Sequence, residues 1–168
     1  MDRDQLRAVQ EPLKQRYRDD PEAGLVTLRA SGTLDAGISC SVQTGRALVE
    51  AGLHPASGGD GSLVCSGDML LEALAACAGV TLRAVATSLE ISVSGSVHAE
   101  GDLDFRGTMA VDRDVPVGFT AIRLGFELES DADEEQLATL VRLTERYCVV
   151  LQTLTHSPQI SVSRVTPA

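Results

Sequence analysis

Apolar residues recur along this chain at two spacings, one helical and one alternating, and their order predicts the fold. From Asp68 to Leu89 there is no proline and one internal glycine, and alanine and leucine, strong helix formers, predominate. A helix is predicted over 68–89, with Ser66 capping its start and Asp68 complementing its dipole. Leu70, Ala73, Leu74, Cys77, Val80, Ala84 and Val85 cover more than half of its circumference. A helix so widely apolar belongs inside a core. Cys77 sits at its middle, and the small neighbours Ala76, Ala78 and Gly79 leave room for a small molecule near the sulfur.

Before this helix, Asp4 to Arg18 reads as a polar surface helix, with Leu6, Val9 and Leu13 at helical spacing and Pro12 expected to interrupt it. Strands are predicted at Leu25–Ala30, Gly37–Val42 and Ala47–Val49, with a turn at Ser31-Gly32. The stretch from His54 to Ser62 is a loop by composition. After the helix, alternation predicts strands over Ile91–Ala99 and Ala121–Glu129, and a weaker one over Phe105–Val111. Asp131 with Glu134 resembles a capping box opening a second helix. Leu137, Leu140, Val141, Thr144 and Cys148 follow at helical spacing, which places Cys148 on that helix's buried side or just past its end. Ile160–Val165 reads as a last strand. The order implies an α+β domain whose antiparallel sheet wraps a buried helix. Residues 1–24 form a helical extension and 25–168 a single domain.

At 168 residues, 43% hydrophobic and 23% charged, the chain has an ordinary globular composition. A formal net charge of −10 argues against nucleic acid or anionic membrane as the main partner. No uninterrupted apolar run approaches the roughly 20 residues of a membrane span, and the first residues lack the apolar core of a secretory signal. A cytoplasmic location is the expectation. In a reducing cytosol Cys40, Cys65, Cys77 and Cys148 are free thiols. No cysteine pair has the two-residue spacing of a zinc or thioredoxin-type motif, and His54, His98 and His156 are scattered, so neither a metal nor a cofactor is expected. Cys40, alternating into a strand face, reads as a small core residue.

Three segments carry a resemblance: the glycine-rich approach GGDGSLVCSGDMLLEALAAC, its continuation AGVTLRAVA, and ERYCVVLQTL around Cys148. Together with the strand order they resemble the OsmC/Ohr family of osmotically induced and organic-hydroperoxide-resistance proteins, from about Leu25 to Val165. The resemblance implies an intertwined homodimer with central helices buried against each other and two active sites at the interface. It implies that Cys77 attacks an organic hydroperoxide, that Cys148 resolves the sulfenic acid to a disulfide, and that a dithiol reductant, often lipoyl-linked, restores both thiols.

A peroxidatic thiolate needs a neighbour that lowers its pKa. Family peroxidases carry an early-strand arginine paired with a glutamate shortly before the helix. Here the matching turn, SGTLDAG, has no arginine; Arg29 and Arg46 are the flanking candidates, and Asp68 stands near the glutamate position. Arg83, six residues beyond Cys77, points about 240° around the helix from it, though toward a partner subunit's cysteine it has reach. Cys148 is followed by Val149, where the family generally has proline. Two other readings stand beside the peroxidase: a dimeric small-ligand-binding protein on the same fold, and a thiol redox sensor without turnover.

Overall fold

The computed structural model describes residues 2–19, 31–34, 39–44, 47–110 and 112–164. Helix α1 runs Arg3–Asp19 without a break, so Pro12 does not interrupt it. Asp2 and Gln5 close its start reciprocally, each side-chain oxygen accepting from the other's backbone N–H. Its first turn is tied to the far end of the central helix by an Arg3–Glu90 ion pair at 2.6 Å.

Strands β1 (Ser31–Leu34), β2 (Ser39–Thr44) and β3 (Ala47–Gly52) form an antiparallel meander, and the two-residue β4 (Val64–Cys65) adds in parallel to β3. Ser31-Gly32, expected as a turn, opens β1, because both residues find partners in β2 at Gln43 and Val42. The expected strand at Leu25–Ala30 lies outside the described residues. Within the His54–Ser62 loop, Pro55–Ser57 make a single 3-10 turn.

Helix α2 spans Ser66–Leu89. Cys65, rather than Ser66, occupies its N-cap and makes no side-chain capping bond. By length and composition α2 is apolar enough to cross a membrane, contrary to the expectation from uninterrupted runs, because Asp68, Glu72 and Arg83 are few and spread out. It packs against α1, α4, α5 and β5. Its fully buried residues, Leu74, Ala78, Leu82 and Ala86, are four apart and form one stripe. Of the other predicted apolar positions, Cys77 and Val85 pack beside this stripe, whereas Leu70, Ala73 and Val80 are exposed, Val80 at 72%. The sheet and the two C-terminal helices cover one side of a cylinder, which is why the wholly buried helix expected from composition is half-dressed here.

Strands β5 (Ser94–Leu103) and β6 (Phe119–Glu129) form a long antiparallel hairpin, Val97 opposite Phe126 and Ala99 opposite Leu124. Their period of two turns Val97, Ala99, Ile122, Leu124 and Phe126 onto α2. Alternate positions form a solvated ladder in which Arg123 bridges Asp102 and Glu100. Phe105–Thr108, expected within a weak strand, forms the short helix α3 instead. Asp104 caps it, accepting from the Arg106 amide and pairing with its guanidinium, and this local capping wins over a weak alternation.

Helix α4 spans Glu134–Tyr147, and its capping box is Asp133 with Gln136, two residues beyond the expected pair. Leu140, Thr144 and Cys148 on its inner side are fully buried. A further helix that the sequence reading missed, α5, runs Val149–Thr155. The predicted strand from Ile160 is not formed over 160–164, where Ile160 is 79% and Val162 94% exposed. Alternation specifies a strand only where a neighbouring edge pairs with it, and no described strand does so here.

Candidate active site

Cys77 lies in the fourth turn of α2, beside the buried stripe at Leu74 and Ala78. Cys148 is brought to it from 71 residues away by the junction of α4 and α5. The Cys148 N–H donates to Thr144 O at 2.9 Å, ending α4, and its carbonyl accepts from Gln152 N at 2.9 Å, opening α5. Between these bonds Cys148 is extended, with φ −72° and ψ 107°, so the chain changes direction on that residue. The first turn of α5 then faces α2. Cys77, Cys148, Val150 and Leu151 pack in one cluster with Leu74 and Ala78.

The amides at the start of α5 have no partner within their own helix. Those of Val150 and Val149, with the Cys148 thiol and the Thr81 hydroxyl, are the polar hydrogens whose influence favours a charge on the Cys77 sulfur. Burial pushes the Cys77 thiol up, but these four donors outweigh it and hold the thiol below its ordinary value. Cys148 is driven the other way. Burial raises it first, the Leu151 amide opposes, and both the bond to Cys77 and the charge on Cys77 raise it further. The pair is therefore unlike: a half-buried Cys77 whose thiol ionises more readily than an ordinary one, and a fully buried Cys148 whose thiol ionises less readily. Both are free, as is Cys65.

No described cation contributes to this state. Arg83 donates through Nη1 to Val93 O at 2.7 Å, on another face of α2. Asp68 is exposed in the first turn of α2, nine residues and about 13.5 Å along the axis from Cys77 and about 180° around it. Arg29 and Arg46 lie outside the described residues. The structure thus joins Cys77 to Cys148, keeps Asp68 apart from them, and adds Thr81 and Val150, neither of which was singled out from sequence, and Val149, noted there only for standing in place of a proline. The spacing of Val150, Leu151 and Leu154 is the signal by which α5 could have been found. Among the described residues no group of three His, Cys, Asp or Glu side chains is placed to hold a metal.

Cys77 opens onto apolar surface on the flank of α2 that carries Ala73 and Val80, and Val149, 69% exposed, stands beside it. Gly79, expected to make room at the sulfur, is about 200° around the helix from Cys77 and faces Val97. It lines instead a groove of about 390 Å³ between α2 and β5, with Leu82, Arg83, Val93 and Leu128. That groove lies on the far side of α2 from the two thiols.

The fold is similar to that of several solved proteins. The OsmC-like protein of Mycoplasma pneumoniae matches with a TM-score of 0.67 at 17% identity, over 79% of this chain and 89% of that one. The organic hydroperoxide resistance protein OsmC of Legionella pneumophila gives 0.59 at 18% identity, over 79% and 92%. OhrB, the organic hydroperoxide resistance protein of Bacillus subtilis, gives 0.53 at 17% identity, over 80% and 94%. No curated protein matches the chain. The family model for OsmC-like proteins matches residues 59–163, which hold both thiols, α2, the β5–β6 hairpin, α4 and α5, and so the chain belongs to the OsmC-like family.

Proposed function

We propose that this protein is a thiol peroxidase that reduces organic hydroperoxides, with Cys77 as nucleophile and Cys148 as resolving thiol. The observation that carries this reading is the packing of Cys77 and Cys148 in one cluster, the first half-buried with its thiol held below the ordinary value and the second fully buried with its thiol pushed up. The Cys77 thiolate attacks the terminal peroxide oxygen, an S–O bond forms, the O–O bond breaks, and the alkoxide leaves and takes up a proton as the alcohol. Cys148 then attacks the sulfenic sulfur, giving a disulfide and water. The packing of both cysteines in one cluster favours closure of that bond without unfolding either helix. A dithiol, such as a lipoyl group, returns two electrons and completes the cycle.

The apolar flank beside Cys77 favours an alkyl or fatty-acid hydroperoxide over hydrogen peroxide. The same flank favours a homodimer, since Val80 and Val149 are large apolar groups open to water beside the reacting sulfur. In such a dimer, in a reducing cytoplasm, the partner would roof both sites. The test is consumption of an organic hydroperoxide with a dithiol reductant supplied. Cys77→Ser is expected to abolish it, and equal turnover in the wild type and this variant would overturn the proposal. The groove between α2 and β5 favours a second reading, a small-ligand-binding protein on the same fold. Absence of turnover in the wild type, with an apolar ligand retained by the purified dimer, would select that one.

A further inference from the structure

We infer that the groove between α2 and β5 is a binding site for a small amphipathic carboxylate, its head held by Arg83 and its acyl tail laid toward Gly79. This rests on the ligand-binding reading of that groove and names the ligand class. The two thiols, on the far side of α2, take no part.

The groove has a charged end and an apolar end. At one, Arg83 lies against Val93 and donates through Nη1 to its carbonyl at 2.7 Å. At the other, Gly79 faces the Val97 side chain, a methyl of which stands 3.6 Å from where a Cβ on the glycine would be. Helix and strand therefore run in opposite directions along the groove, and the residue order on both gives it one polarity. Between the ends, Leu82, Val93 and Leu128 supply apolar lining. The wall from Ser94 to Val97 spans about 10 Å, the scale of a medium-chain acyl tail. A volume of about 390 Å³ suits a small-molecule site, mostly apolar with a few placed polar groups.

Gly79 and Gly95 keep this space open. An interior helical glycine is less stable than an alanine, and the side chain missing at 79 is one that would enter the groove. Gly95, at φ +130° and with the Glu127 carbonyl oxygen where a Cβ would stand, admits no side chain. The neighbouring hydroxyls of Ser94 and Ser96 are turned to Glu129 and Glu127, neither of which lines the groove. Among the described residues the lining carries one charge, that of Arg83.

That charge is not neutralised locally. Arg3, Arg106 and Arg123 pair with Glu90, Asp104 and Asp102 respectively. Among the described residues no carboxylate pairs with Arg83, and the Val93 carbonyl takes only one of its N–H groups. The guanidinium is thus anchored in place, with the rest of its planar fork left for a carboxylate. An uncharged lipid would leave the fork unpaired, and a nucleotide would bring several phosphate charges to one cation and an apolar wall. One fixed cation at the end of an apolar slot matches a monocarboxylate with a tail.

The test is titration of the full-length chain with octanoate by isothermal calorimetry, with octanol as the uncharged probe of equal tail length. Octanoate should saturate a single site per chain and bind about tenfold more tightly than octanol, the effect of one charge-assisted pair. Arg83→Gln should bring octanoate to the octanol level. Gly79→Leu, which fills the apolar end with a good helix former, should remove binding of both. Octanoate that fails to saturate the wild type, as when a second copy of the chain covers the groove, would overturn the inference. Octanoate binding unchanged in Arg83→Gln would do the same. Octanol bound as tightly as octanoate keeps a ligand-binding groove and removes the carboxylate.

Should either variant not fold, the amide resonances of the unsubstituted chain decide. Octanoate should move those of Gly79, Gly95 and Val97, and shifts centred elsewhere remove the site. Carboxylate binding in a protein without peroxide turnover leaves this inference standing and the peroxidase fallen. Turnover without carboxylate binding does the reverse.

Discussion

Cys148, fully buried, packs in the same cluster as Cys77, and the two thiols shift in opposite directions: burial leads the rise at Cys148, while the groups around Cys77 outweigh its burial and hold it below its ordinary value. Of the two, Cys77 is the one set to ionise first. Proximity and asymmetry, both needed for a two-cysteine cycle, arise where α5 meets α2.

Removing the buried partner should separate the two half-reactions. Cys148→Ser is expected to consume one equivalent of organic hydroperoxide per subunit and then stop, leaving a sulfenic acid that a dimedone-type probe traps. Excess peroxide should carry it on to the sulfinic acid. Continued turnover with a dithiol would assign resolution to a different thiol.

The pH dependence follows from the two directions of shift. Cys77 lies below the ordinary thiol value, so its thiolate persists at pH values where an unperturbed thiol is protonated. Cys148 lies above that value and stays protonated over the same range. Between neutral pH and the ordinary thiol value, an alkylating agent should modify Cys77 well before Cys148. On the acid side of its midpoint the Cys77 rate should fall about tenfold per pH unit. Equal labelling of both cysteines across that range would contradict the assignment.

Cys65 should be dispensable for turnover. It is closer to Cys77 in sequence than Cys148 is, but it caps α2 from the opposite end, about 18 Å along the axis. Cys65→Ser is expected to retain nearly full hydroperoxide consumption in a coupled assay. Loss of activity in a folded variant would make Cys65 the resolver.

Val80 tests the dimer. A valine 72% exposed in the middle of an apolar helix is the position where a carboxylate would do most harm to a helix–helix interface and least to an isolated chain. Sedimentation should find the wild type as a dimer and Val80→Asp as a monomer or a markedly weakened dimer. A wild type that sediments as a folded monomer at micromolar concentration would dismiss the assembly.

Leu74 ties the site to the core. It is fully buried against Ala78 and Cys148, and truncating such a leucine to alanine typically costs about 2–5 kcal/mol. Leu74→Ala should lower the denaturant midpoint accordingly, and it should also loosen the contact between α2 and α5 on which the thiol pair depends. A stability change under about 1 kcal/mol would mean that the cluster is not the packed unit described.

What the sequence determined by itself was local. Helix α2 follows from an alanine- and leucine-rich run without proline, the β5–β6 hairpin from its clean period of two, and the inner face of α4 from the spacing of Leu137, Leu140, Thr144 and Cys148. Each depends on interactions within a few residues, or on one repeated face, and such patterns are visible in one dimension. The two cysteines were recognisable only through the segments around them. Whether they meet was a matter of packing across 71 residues, decided where α4 stops at Cys148 and α5 starts at Val149. That same junction supplies the amides at Cys77, and no side-chain pattern announces them because backbone donors carry no letter in the sequence. Alternation at Ile160 and Val162 produced no strand for the complementary reason: hydrogen-bonded pairing is a property of two edges, and a chain read alone contains only one.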